Sequence, residues 1–325
     1  MQLDDEKFHR LKIVRPGFIG RRLLRRPTLD RALYDDAGLT ETERSHLVEV
    51  THSAQRVFER KRLLFIFGIM PRSGTNFLFE LLLRAPPFAR SAIPFAELPI
   101  LAGEEYFRGP VDLIGRVHRE SGKAFARMEW MAYATAGFRN RVLDIAGPGS
   151  ITLIKNPLVW NIELWPVLFP QDHMLLLIRD ARYIVDSFMR TLIHSGMSRT
   201  FEDVCIETAL AIDKSMAFLA SQPANRLMLL RYEDVVRDKS GAVSRVSEWL
   251  GESTAIADRE VLEHLPVYGS SVYSNRTSDG SVDWTPVAAD EGFDPTNRTL
   301  SWTTGQQRIF DRVCGAQNAR LGYGR

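Results

Sequence analysis

The sequence predicts an α/β protein in three layers, with a central parallel sheet flanked by helices. Two observations predict it. Short apolar runs of strand type recur at 63–67, 151–155, 174–178 and 227–231. Helical patterns fall between and after them, at 75–83, 158–168, 181–193 and 203–220. Strand and helix in alternation imply crossover connections, hence parallel neighbours covered by helices on both faces. A third observation locates the function: the first run breaks into a Gly/Ser/Pro turn and then a helix start, the local pattern of an anion site.

The bulk properties agree with a globular enzyme-sized chain. The 325 residues are long enough for a large core, and 45% hydrophobic with 25% charged is ordinary globular composition. A net charge of +2 carries no signature of nucleic-acid binding, and no nucleic-acid partner is expected. Cys205 and Cys314 show no metal or CxxC spacing, so they are read as buried reduced thiols, with a bridge between them as the alternative, and no metal is expected. The opening MQLDDEKFHRLK is charged and lacks an apolar core, and no apolar run reaches membrane-spanning length. A cytoplasmic protein is expected.

Residues 1–60 read as an N-terminal helical extension and 61–325 as the main domain. Within the extension, Arg15 to Pro27 (RPGFIGRRLLRRP) is arginine-rich. It is read as a solvated segment packed on the core, with weak contact to a membrane surface or acidic substrate as the alternative. Thr40 and Glu43 form a capping box that opens a helix running to Arg60. Next come strand 63–67 with its loop and helix, a short strand at Phe88 to Ile93, a helical stretch at Glu97 to Phe107, and a long polar, helix-rich region from Val111 to Leu143. Further helices are expected at 239–251 and 304–321. Between them, Ser270 to Asn297 is rich in Gly, Ser, Asn and Asp. Loops of that length are usually either functional or disordered.

The anion site is read from Arg62 to Leu83, RLLFIFGIMPRSGTNFLFELLL. A strand, a tight polar loop and a helix N-terminus bring free backbone N–H groups and a helix dipole to one point. Arg72 adds a fixed positive charge. The loop is not a Walker A sequence, because Thr75 stands where that motif needs Lys. ATP or GTP hydrolysis is therefore disfavoured.

PRSGTNFL resembles the 5′-phosphosulfate loop of sulfotransferases that use 3′-phosphoadenosine 5′-phosphosulfate (PAPS), in which Asn76 replaces the usual second Thr. Other segments resemble the same family in the same order. LLLIRDARYIVDSFMRT (175–191) is similar to its 3′-phosphate segment, ITLIKNP (151–157) to its strand ending in K-x-P, and LMLLRYED (227–234) to the strand beside the adenine. The C-terminal stretch from Asn297, with its Trp302 and a final LGY, resembles the family's last helix. The resemblance spans roughly Leu63 to Gly324. It implies a P-loop-NTPase-like fold, PAPS as co-substrate, and a hydroxyl on a carbohydrate, lipid or other small metabolite as acceptor.

The resemblance also implies residue roles. Arg72, Ser73, Gly74, Thr75, Asn76 and Phe77 would hold the 5′-phosphosulfate. Arg179, at the carboxyl end of its strand, and Ser187, two turns into the next helix, would take the 3′-phosphate; Arg offers a planar charged fork and Ser one hydroxyl donor. Tyr232 would flank the adenine. Ser270, Ser271 and Arg276, in the long polar loop, would meet phosphate oxygens. Arg72 and Lys155 would neutralise the leaving group, since sulfuryl transfer, like phosphoryl transfer, asks mainly for positioning and charge neutralisation. The segment Ala89 to Leu101 has no His, so Glu97, 25 residues after Arg72, is read as the general base, as in the tyrosylprotein and glycan types. His118, His173 and His194 are alternatives for that role. A kinase-type enzyme without a Walker Lys, or a non-catalytic nucleotide-binding module, are the competing readings of the same loop.

Overall fold

The computed structural model describes residues 34–35, 39–91, 101, 117, 127–195, 199–223, 225–253, 262, 265–267, 286–288 and 294–324. Its centre is a five-stranded parallel sheet in the order β2-β3-β1-β4-β5. The strands are β1 (Arg62–Gly68), β2 (Phe88–Arg90), β3 (Ile151–Asn156), β4 (His173–Ile178) and β5 (Leu227–Arg231).

Burial explains why β1 reads as a continuous apolar run. It lies between β3 and β4, and helices cover both faces, so neither face can be polar. Leu63, Phe65 and Phe67 point into one core with Trp165, Phe169 and Ile212. Leu64 and Ile66 point into the other, with Leu78, Leu175, Leu177 and Val246. Successive strand side chains alternate faces, so one run builds two cores.

Helix α1 (Glu41–Ala54) opens with the expected capping box: Glu43 N–H donates to Thr40 Oγ1 at 3.2 Å, and Thr40 N–H to Glu43 Oε2 at 2.8 Å. It packs on α3 (Arg127–Ile145), and its Leu47 and Val50 join the core that contains Tyr34 and β1. The helix stops six residues before Arg60. Gln55 turns extended and donates its side-chain amide to Leu168 O at 2.5 Å, and Arg56 N–H donates to Asn140 Oδ1 at 3.0 Å. These tertiary partners replace the next helical turn.

Other helices follow their strands: α2 (Thr75–Leu82), α4 (Trp165–Leu168), α5 (Ala181–Ser195), α6 (Phe201–Ser221), α7 (Tyr232–Arg237), α8 (Lys239–Trp249), α9 (Thr304–Val313) and α10 (Gly315–Arg320). Two expected helices are corrected. At 158–168 there is only a 3₁₀ turn (Ile162–Leu164) and the single turn α4, entered through Asn161 at φ 50°; a left-handed residue cannot continue a right-handed helix. At 304–321 the helix breaks at Cys314, whose φ of −125° precedes Gly315, a weak helix former. The strand expected at 88–93 ends at Arg90.

Cys205 and Cys314 are free and fully buried. Burial raises the Cys205 thiol to about 12, so it stays protonated. Among the described residues no helix is long and apolar enough to cross a membrane. Arg15 to Pro27 lies outside the described residues.

Candidate functional site

The carboxyl ends of the strands are in register. Gly68 of β1 pairs with Leu177 of β4, Phe67 with Asn156 of β3, and Ile178 of β4 with Arg231 of β5. The residues that follow β1, β4 and β5 therefore emerge side by side, where ligands bind in open α/β sheets.

The loop after β1 is held by Ser73. Its hydroxyl donates to Met70 O at 2.6 Å and accepts from Met70 N–H at 3.1 Å, and Ser73 N–H donates to Met70 O at 3.1 Å. Ser73 is fully buried, so its side chain shapes the loop. Arg72 at φ 81° and Gly74 at φ 99° are both left-handed. A side chain on Gly74 would come within 2.3 Å of the Tyr232 ring, so only glycine permits this approach. The first bond within α2 runs from Leu78 N–H to Gly74 O at 3.1 Å. The amides of Thr75, Asn76 and Phe77 thus have no partner within the helix.

Arg179 emerges from β4 onto this loop. Its Nη1 donates to Arg72 O at 3.0 Å and its Nη2 to Pro295 O at 2.9 Å, and its guanidinium stacks 4.2 Å from the centre of the Tyr232 ring. Arg72 Nε donates to Ser187 Oγ at 2.9 Å. On the far side of the loop, Lys155 Nζ reaches Asn76 Oδ1. Tyr232 is buried, with one face on Arg179 and Phe77 packed edge-on at 5.8 Å. It supports the loop and the arginine together.

A third arginine joins them. Arg298 lies three residues after the carbonyl of Pro295 that Arg179 holds, and its Nη2 is 3.9 Å from Asp186 Oδ2. Burial, then Arg179 and Arg298, pushes the Arg72 guanidinium down to about 10, so it remains cationic at neutral pH. Arg298 is lowered by burial and by Arg179. Among the described residues, Arg179 Nε and Arg298 Nε and Nη2 are buried with no hydrogen-bond partner. Buried donors left this way are costly, and like charges gathered in one place more so. An anion with several oxygens relieves both.

A family model described as the Sulfotransferase family matches residues 64–255, more than half of the chain. The chain belongs to the sulfotransferase family. The matched span contains the loop, Lys155, Arg179, Ser187 and Tyr232. Among solved structures, the sulfotransferase is similar to the sulfotransferase domain of the olefin synthase of Synechococcus PCC 7002 (14% identity, covering 83% of this chain and 98% of that one, TM-score 0.47). It is also similar to a sulfotransferase from Alicyclobacillus acidocaldarius (12%, 83% and 98%, TM-score 0.45). A third is mouse sulfotransferase SULT7A1 complexed with PAP (12%, 82% and 87%, TM-score 0.45). The search of curated proteins returns no match.

The sequence-expected residues of this sulfotransferase fall into two groups. Arg72, Ser73, Gly74, Thr75, Asn76, Phe77, Lys155, Arg179, Ser187 and Tyr232 come together at the strand ends. Glu97, Ser270, Ser271 and Arg276 lie outside the described residues, as does His118. His173 is at the amino-terminal end of β4, the opposite end of the sheet, with its ring edge-on to Trp249 at 5.2 Å. Burial, with Arg62 and Arg226 nearby, lowers it to about 4. That position removes it from the alternatives for the base. Arg298 is the residue sequence reasoning missed. The one available signal was a basic residue shortly before Trp302 in the family-like C-terminal stretch.

Proposed function

We propose that this sulfotransferase moves a sulfuryl group from PAPS to a hydroxyl of a carbohydrate, lipid or small-metabolite acceptor, by in-line displacement. One observation carries the reading: Arg179 donates to the backbone of Arg72 while Arg72 donates to Ser187, so the two anion-binding segments meet. A nucleotide with a negative group at each end matches such a pair of adjoining cradles. The buried donors of Arg179 and Arg298 fit its phosphate oxygens, and the α2 amides fit the phosphosulfate.

PAPS supplies the sulfuryl group. Arg72 and Lys155 neutralise the charge that develops on the leaving phosphate, and both are fixed before reaction, Lys155 by Asn76 and Arg72 by Ser187. Arg72 remains protonated at neutral pH and acts electrostatically. Tyr232 stacks on Arg179 and holds it in place, and is assigned the adenine-flanking role that the resemblance implies. Ser270, Ser271 and Arg276 are assigned further phosphate contacts. Glu97 takes the acceptor's proton as the new S–O bond forms.

Calorimetry with 3′-phosphoadenosine 5′-phosphate (PAP), against ATP with Mg²⁺, tests the donor. Binding of the first and not the second is expected; the reverse favours a kinase-type enzyme, and binding of neither favours a non-catalytic module. Mass spectrometry of a metabolite or glycan extract incubated with enzyme and PAPS should show the gain of one SO₃. Glu97→Gln should leave PAP affinity intact and lower turnover by about 10²–10⁴; unchanged turnover removes Glu97 from the base role.

A further inference from the structure

The turn that carries Arg179 is held from the far end of the chain. Asn318 in α10, 2% exposed, contacts the turn twice: its Oδ1 accepts from Ala181 N–H at 2.8 Å, and its Nδ2 donates to Asp180 Oδ1 at 3.2 Å. A backbone donor on one side and a carboxylate acceptor on the other fix the orientation of the amide. Asp180 also accepts from Arg182 N–H at 2.9 Å and from the Arg182 guanidinium. The remaining backbone donor of the turn, Asp180 N–H, goes to Glu233 Oε1 at 3.1 Å. The other oxygen of Glu233 accepts from the Tyr323 hydroxyl.

Tyr323 is itself seated. Its ring lies 4.3 Å under the Arg231 guanidinium, and its N–H donates to Asn318 O at 3.2 Å. Gly322 at φ 82° makes the reversal between them, where a side chain would come within 2.9 Å of Arg231 Nη1. Burial and the Glu233 carboxylate raise the Tyr323 phenol, so it remains a donor. The two backbone amides that follow Arg179 are thus both satisfied through side chains from outside their own element, and both routes lead to the C-terminal segment.

We propose that Asn318, Tyr323 and Glu233 are positioning residues for Arg179: together they set the angle at which its guanidinium leaves β4, and so the affinity for the 3′-phosphate. None of the three touches the nucleotide; they act through the Arg179 turn. The inference rests on the PAPS reading, with Arg179 at the 3′-phosphate.

Calorimetry of the full chain with PAP and, separately, adenosine 5′-phosphate, which lacks the 3′-phosphate, tests it. Tyr323→Phe removes one hydroxyl and keeps the ring on Arg231. Asn318→Asp keeps the acceptor for Ala181 but sets a carboxylate against Asp180. Each variant should bind PAP about tenfold or more weakly, the size of one lost charge-assisted hydrogen bond, and bind adenosine 5′-phosphate as the unmodified chain does. A general loss of structure weakens both ligands alike and overturns the proposal, as does unchanged PAP affinity. If Asn318→Asp fails to fold, Tyr323→Phe decides alone. An unmodified chain that binds PAP no better than adenosine 5′-phosphate overturns the PAPS reading first, and the positioning role with it.

Discussion

At the amino-terminal end of the sheet, Arg139 meets Asp172 with both side chains almost wholly buried, Nε to Oδ2 at 2.6 Å. Asp172 also accepts from the Leu63 N–H of β1 at 2.9 Å, and Arg139 donates to Arg56 O. At the carboxyl-terminal end, Arg179 donates to two backbone carbonyls, and Arg298 shares Asp186 with Arg190, which is nearer at 3.0 Å. The same residue type is buried at both ends. At one end its charge is matched, and the pair ties α3 to β1 and β4. At the other, arginines act on one another, and buried donors are held in readiness. One arrangement serves folding; under the proposed function, the other gives up folding energy for ligand binding.

The largest expected effect separates these roles. Asp172→Ala leaves Arg139 buried and unmatched, and should cost about 3–5 kcal/mol in chemical denaturation. The folded fraction should still bind PAP normally. Arg179→Ala should do the opposite: weaken PAP binding by about 2–4 kcal/mol, read by calorimetry, with stability unchanged or raised because like charges are relieved. If Arg179→Ala destabilises the chain as much as Asp172→Ala does, the distinction between the two ends is wrong. Arg298→Ala sharpens it, since Arg298 has a carboxylate neighbour where Arg179 has none among its hydrogen bonds. A smaller loss of PAP affinity is expected, about 1.5–3 kcal/mol.

The smallest effect is a pH slope. The folded chain keeps His173 neutral down to about 4, against an ordinary value of 6.5. The unfolded chain takes up the proton first, so stability is fully present above about 6.5 and falls as pH drops toward 4. His173→Gln should flatten the melting temperature across that window and leave turnover unchanged. A change in turnover would bring this end of the sheet back into the chemistry.

Much of this site was legible because its signals are local. Leu63 to Phe67 and Met174 to Ile178 announce buried parallel strands by composition, and PRSGT announces the turn that follows the first of them. Arg179 was legible because it directly follows its strand. Arg298 was not: it sits in a polar stretch with no helix or strand to place it, and its position depends on Pro295 O meeting Arg179, 116 residues away. The ring of Tyr232 was expected to flank a base; its burial between Gly74 and Arg179 follows from the register of β4 with β5, which the sequence of β5 does not state. Helix lengths erred where tertiary partners took over the end of a helix, as the Leu168 carbonyl and the Asn140 side chain do after Ala54.

By itself the sequence determined the layers of this sulfotransferase, the order of its strands along the chain, and the loop at the end of β1. Each of these follows from the conformational preference of a few consecutive residues. Only the tertiary structure decided which arginines converge, which one is neutralised by a carboxylate, and that Asn318 and Tyr323 support the turn at Arg179. Those are matters of distance between residues a hundred or more positions apart, and they are settled when the cores on the two faces of the sheet close and bring the strand ends into line.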